Sequence, residues 1–157
     1  MNLTKLSEGI LSMLRSVPEI EDVVSAIEVY DESGNAEEVP AIFRNRAPQS
    51  ARLPYCVFHH LVTPPRYSSC GTVTRFESQI QIDAHAQSDD ECDEILSTLC
   101  EHLDYAEGVY EWIEVDGVFI DDVLEEDSDD VESDGDHSSS KRMVTLRVHW
   151  SAIDDAG

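Results

Sequence analysis

The residues between Thr72 and Ala86 constrain the fold more than any other stretch. Phe76, Ser78, Ile80, Ile82, Ala84 and Ala86 alternate with Arg75, Glu77, Gln79, Gln81, Asp83 and His85. A period of two puts one set on a core and the other in water or against a partner, so the segment reads as a half-buried strand. A helix follows at once. Ser88 stands at its N-cap with Glu91 three residues on, the pattern of a capping box. Asp89 and Asp90 occupy the first turn, where the helix dipole favours negative charge. Cys92, Ile95, Leu96, Leu99, Cys100 and Leu103 then form a single apolar stripe. A one-faced strand leading into a one-striped helix buries both by folding together, and the other elements are expected to assemble on that pair.

Ahead of this unit, Leu6, Ile10, Met13, Leu14 and Val17 predict a helix over residues 3–14, stopped by Pro18. Residues 19–26 fit a helical continuation or a loop equally. Ile27, Val29 and Tyr30 predict a short strand, residues 31–35 a turn, and residues 39–43 a second short strand that Pro40 keeps at an edge. Residues 44–52 read as a loop, and with Arg66 they hold Arg44, Arg46 and Arg52, four of the ten basic residues. A strand from Leu53 to about Val62 is apolar on both faces, which suits a central position. Residues 66–72 are expected to be a loop. After the helix, Tyr110 to Val115 predicts a strand that turns at Asp116-Gly117, a hairpin signal. Val118, Ile120 and Leu124 continue as a strand. Val144, Leu146, Val148 and Trp150 alternate with Met143, Thr145, Arg147 and His149 in the last strand, whose expected partner is 118–125. Residues 127–140 form an acidic loop and 152–157 a polar tail. The expectation is a single α+β domain over residues 1–157: a two-layer sandwich, a mostly antiparallel sheet with two helices packed on one face and a long C-terminal hairpin.

Charge narrows the function classes. The chain has 34 Asp and Glu against 10 Lys and Arg, a formal net charge of −24. Such a surface lacks the cations that replace phosphate counterions, which argues against nucleic-acid binding. It also repels itself at low ionic strength and is screened near 1 M salt, where the Debye length is about 3 Å. A halophilic source is expected; an acidic protein kept soluble by its charge is the plainer alternative. No apolar run reaches membrane-spanning length, and the start of the chain lacks the order of a signal peptide, so a soluble cytoplasmic protein without a membrane partner is expected. The four cysteines, Cys56, Cys70, Cys92 and Cys100, form no CxxC pair and read as thiols rather than disulfides.

Three constellations bear on chemistry. Cys56, His59, His60 and Cys70 are zinc-ligand types, but adjacent histidines on a strand point to opposite faces. Asp83 and His85 share the polar face of the long strand and could pair for proton transfer, but no nucleophile motif accompanies them, and a solvated or subunit-facing strand face is the expected reading. Asp130, Glu132, Asp134, Gly135 and Asp136 match the early positions of a calcium loop, which fails at Lys141 where a bidentate Glu belongs. The expectation is no enzyme, no cofactor and no metal.

Leu53-Pro54-Tyr55-Cys56-Val57-Phe58, the strand 74–86 ending Ile82-Asp83-Ala84, the Ser88-capped helix, and Gly117-Val118-Phe119-Ile120 followed by an acidic segment and Val144 to Trp150 together resemble tailed-phage tail terminator (tail completion) proteins. The resemblance covers residues 3–151 in element order; the acidic 127–140 loop departs from it. It implies a structural virion protein: a ring, usually a hexamer, that ends the tail tube and joins it to the neck and head. The implied partners are copies of itself, the tail tube protein and the neck or connector proteins, with assembly in the host cytoplasm. DNA would pass through the lumen without sequence-specific binding, since carboxylates repel phosphate. On this resemblance the interface candidates are Arg75, Glu77, Gln79, Gln81, Asp83, His85, Arg147 and His149, with an acidic tip of Asp129, Asp130, Glu132, Asp134 and Asp136 near the lumen or at an end of the ring. A neck or head-completion (stopper or adaptor) ring, and a small metal-binding module or enzyme, are the alternatives.

Overall fold

A computed structural model describes residues 3–62, 65–67, 73–111, 113–126 and 139–152. Its elements in chain order are α1 (Leu3–Arg15), α2 (Ile20–Val23), β1 (Ala26–Tyr30), β2 (Ala36–Pro40), β3 (Ile42–Arg44), β4 (Tyr55–Val62), β5 (Pro65–Tyr67), β6 (Val73–Ala86), α3 (Asp89–Leu103), β7 (Gly108–Tyr110), β8 (Ile113–Glu126) and β9 (Ser140–Ala152). The class is α+β with a mostly antiparallel sheet. Its strand order is β3-β4-β6-β9-β8-β7, with β5 on β6; β1 and β2 form a separate two-stranded sheet. Among the described residues, only the β3–β4 pairing is parallel.

The alternating strand is the centre of the main sheet. β6 lies between β4 and β9, with Ile82 opposite both Phe58 and Val144. Its even-numbered residues Ser78, Ile80, Ile82, Ala84 and Ala86 are buried. They meet Leu6, Ile10 and Leu14 of α1, Ile20 of α2, and Ile95 and Leu99 of α3 in one core cluster that also takes in Val144, Leu146, Val148 and Trp150. The Ser88 hydroxyl accepts the Glu91 N–H at 3.2 Å, the first half of the capping box. The return half is displaced by one residue: the Glu91 carboxylate takes the Gln87 N–H at 3.5 Å. Trp150 is fully buried, donates its indole N–H to the Ser78 hydroxyl at 2.8 Å and stacks on Phe76.

Four sequence expectations are corrected. Residues 36–40 are a strand, and the one expected over 39–43 breaks at Ala41. Pro40 has no N–H to continue a ladder, and Ala41 donates to Ser25 O and accepts from Cys56 N, passing the chain from the hairpin to the main sheet. The stretch 66–72 is not wholly a loop, because β5 pairs Pro65–Tyr67 with Phe76–Val73. The strand opening at Tyr55 is second from the edge, covered outside by β3 only over Cys56–Phe58. Asp116-Gly117 is not a hairpin turn. The register shifts between Val115 and Gly117, so Asp116 is the extra residue of a bulge in a continuous β8. That extra residue restores the phase, leaving Ile113, Val115 and Val118 all buried. A Cβ at Gly117 would stand 2.7 Å from the Phe119 ring, so any larger residue there would require that ring to move. The chain reverses at Glu111 (φ 54°), between β7 and β8.

Candidate interaction surface on the polar sheet face

The residues singled out from the alternation come together. Register places Arg75, Glu77, Gln79, Gln81, Asp83 and His85 of β6 on one face, with Arg147 and His149 of β9 beside Gln79 and Glu77. Tyr55, Val57 and His59 of β4 flank them on one side; Phe119 and Asp121 of β8 flank them on the other. Two clusters result.

At the β8 end, Arg147 bridges strands. Its Nη2 lies 2.8 Å from Asp121 Oδ1, and its Nε lies 2.9 Å from Glu77 Oε1 but off the N–H axis, an ionic contact without a hydrogen bond. Arg75 pairs with the bulge residue Asp116. Phe119 meets His149 and Tyr105 edge-on, at 5.3 and 5.2 Å between ring centroids. Tyr105, just beyond α3, remains 71% exposed, and nearby Val109 on β7 is 65% exposed.

At the β4 end, Asp83 is only 5% exposed. Its carboxylate accepts from Gln81 Nε2 at 2.8 Å and meets His59 Nε2 at 3.2 Å. Asp83 thus contacts His59, which stands opposite Gln81 on the adjoining strand, rather than His85, the partner considered from sequence. His85 instead stacks on Tyr55 at 4.8 Å. Burial lowers the His85 pKa, opposed by the Asp83 charge and assisted by Lys141 and His59. From sequence His59 is a candidate metal ligand or a residue of the enzyme alternative; its contact with Asp83 follows from the β4–β6 register, which periodicity alone does not set. Neither Tyr105 nor Phe119 is among the interface candidates read from sequence.

Among the described residues, no three His, Cys, Asp or Glu side chains converge as metal ligands. Cys56 is buried on the core side, its thiol pKa pushed up by burial, while His59 sits on the polar face. Cys92 gives its thiol to Ala84 O and Ser140 O. Cys70 and the acidic tip, Asp129, Asp130, Glu132, Asp134 and Asp136, lie outside the described residues. No helix of the described residues is long and apolar enough to cross a membrane. A separate groove of about 610 Å³ runs between the end of α1 and β2, lined by Glu8, Arg15, Glu19, Glu21, Glu37 and Glu38 among others. Arg15, one of its lining residues, donates to Ile42 O at 3.0 Å. The polar face is built of fixed ion pairs and aromatic contacts, which suits recognition of another surface.

These features define a small α+β sheet domain with one face committed to a core and the other furnished with paired polar side chains. No family model and no curated protein matches the chain. Its fold is similar to that of a chain in a solved structure described as the virion of a native gene transfer agent particle, with a TM-score of 0.63 over 96% of this chain and 97% of that one, at 10% identity. At that identity the likeness is one of fold.

Proposed function

We propose that this chain is a structural virion protein without catalytic activity, forming a ring that terminates the tail tube, joins it to the neck and head, and lets the genome pass. The observation that carries this reading is the end-to-end fold likeness to a virion chain, 96% against 97%. The element order that resembles tail terminators and the ordered polar face support it. On this reading the fold is a two-layer sandwich, β8 and β9 form a long hairpin through the acidic segment, and Arg75, Glu77, Gln79, Gln81, Asp83, His85, Arg147 and His149 meet the neighbouring copy or the tube. The partners are other copies in a hexamer, the tail tube protein and the neck proteins, and the source is halophilic. Salt assists assembly by screening the −24 charge of each copy.

Two measurements test the reading. Sedimentation across a salt series is expected to show a closed oligomer at high salt, and a protomer at every salt concentration would refute the ring. Virions made without the protein are expected to carry overgrown tails. Tails of normal length left unattached to capsids would refute termination and assign the ring to the neck.

A further inference from the structure

β1 and β2 form a two-stranded sheet that no other strand joins among the described residues. A ribbon of two strands is marginal on its own, yet this one is tied at both ends. At its base, the Ser25 N–H donates to Pro54 O at 2.9 Å and the Ala41 N–H to Ser25 O at 2.8 Å. At its tip, Asp31 Oδ1 accepts the Ser33 N–H at 2.9 Å and the Asn35 N–H at 2.8 Å, and Gly34 (φ 82°) completes the reversal. The ribbon is thus held in shape before anything docks on it, which lowers the ordering cost of binding.

One face of the ribbon carries an arrangement that the single copy leaves unbalanced. Register sets Glu28 directly opposite Glu38, and the next pair on that face toward the tip is Tyr30 with Ala36. Like charges directly opposite on a sheet destabilise it. Both carboxylates are exposed, and neither has a cation in ion-pair range among the described residues. Tyr30 is 68% exposed, with its hydroxyl 3.4 Å from Glu28 Oε2. Two carboxylates beside an open aromatic ring make a seat for a guanidinium, which pairs with the acids and stacks on the ring. The chain itself supplies such groups. Arg75, Arg142 and Arg147 already hold carboxylates of other elements. Arg44 and Arg46 are exposed and have no carboxylate in ion-pair range among the described residues. The Asn45 N–H donates to Phe58 O at 2.9 Å and the Arg46 N–H to Arg44 O at 2.8 Å, so both arginines stand on backbone anchored to β4. In a chain with 34 acids, charge alone would not choose the hairpin; the opposed pair in register and the exposed ring do.

We infer that the Glu28–Tyr30–Glu38 face of the β1–β2 hairpin docks on Arg44 and Arg46 of a second copy of this chain. The two surfaces differ, so the contact is head-to-tail, the kind that closes into rings. This rests on the ring reading above and names its subunit contact. Ion pairs enclosed between copies are screened much less than the long-range repulsion of the −24 charge, so salt that permits assembly leaves them effective.

Charge exchange tests it by sedimentation at the salt concentration where the native chain assembles, with far-UV circular dichroism confirming each fold. The Glu28→Arg/Glu38→Arg variant is expected to assemble more than about tenfold more weakly. It makes each copy less acidic, a change that through net charge alone would strengthen assembly. Arg44→Glu/Arg46→Glu is expected to weaken assembly as much. One chain carrying both pairs of reversals is expected to recover, because each reversed hairpin then meets reversed arginines. Undiminished assembly of either folded variant would overturn the contact while leaving the ring intact. So would failure of the folded combined variant to recover, or a double-stranded DNA affinity in the native chain that the arginine variant loses. A native chain that stays a protomer at every salt concentration would overturn the ring and this contact with it. If one variant does not fold, the other, equally confined to exposed side chains, still decides.

Discussion

Replacing Ser78 by Ala should cost far more than one hydroxyl on a strand. Ser78 is fully buried, the one polar side chain among the inward residues Ser78, Ile80, Ile82, Ala84 and Ala86 of β6, and its oxygen accepts the indole N–H of Trp150, also fully buried. The Phe76 ring stacks on the indole at 4.5 Å, limiting its freedom to seek another acceptor. Truncation therefore removes the hydroxyl acceptor of a desolvated donor, a penalty of about 1–3 kcal/mol. For a domain of this size that is about 2–12 °C in Tm. Urea unfolding followed by circular dichroism, at fixed protein concentration and high salt, measures it. A double-mutant cycle with Trp150→Phe isolates the bond: once the donor is gone, Ser78→Ala should cost about 0.5–1.5 kcal/mol less. Ser78→Ala within about 0.5 kcal/mol of the parent, or a strictly additive cycle, would refute the role assigned to this pair.

Other expectations follow from the same contacts. Arg147→Ala removes both the Glu77 and Asp121 contacts of a half-exposed side chain; about 1 kcal/mol should be lost at low ionic strength and little near 1 M salt, read from urea midpoints across a salt series. Ser88→Ala deletes the acceptor of the Glu91 N–H and should cost about 1 kcal/mol by the same assay. The pKa values of His60 and His85 are both lowered, chiefly by burial. The folded state then binds fewer protons than the unfolded one, so this contribution is present above the ordinary histidine value and is lost as pH falls through the lowered values. Stability should therefore fall more steeply on acidification in the parent than in His60→Gln/His85→Gln; parallel profiles would contradict the burial of these rings.

The central unit was legible in the residues because its two signals agree. The alternation from Phe76 to Ala86 and the stripe from Cys92 to Leu103 each specify one face, and both faces are in the core. Elements whose pattern was short or dual were less legible. Ala41 splits one expected strand into two through bonds to Ser25 and Cys56, which lie far apart in sequence. Asp116-Gly117 carries turn chemistry, but tertiary pairing with His149 and Trp150 absorbs it as a bulge. At the polar face, which residues share a side followed from period two. Which of them touch did not: Asp83 meets His59 rather than His85 because strand register, not spacing along one strand, sets cross-strand neighbours.

The order of strands has a consequence for how the molecule comes into being. β9, last in the sequence, is wedged between β6 and β8, pairing Ile80 and Ile120 to the two sides of Leu146. Until that segment leaves the ribosome, the sheet exists as two halves with raw facing edges. A chain stopped short of Ser140 should accordingly be prone to aggregate rather than fold as a smaller domain, because the facing edges of β6 and β8 would stay unpaired.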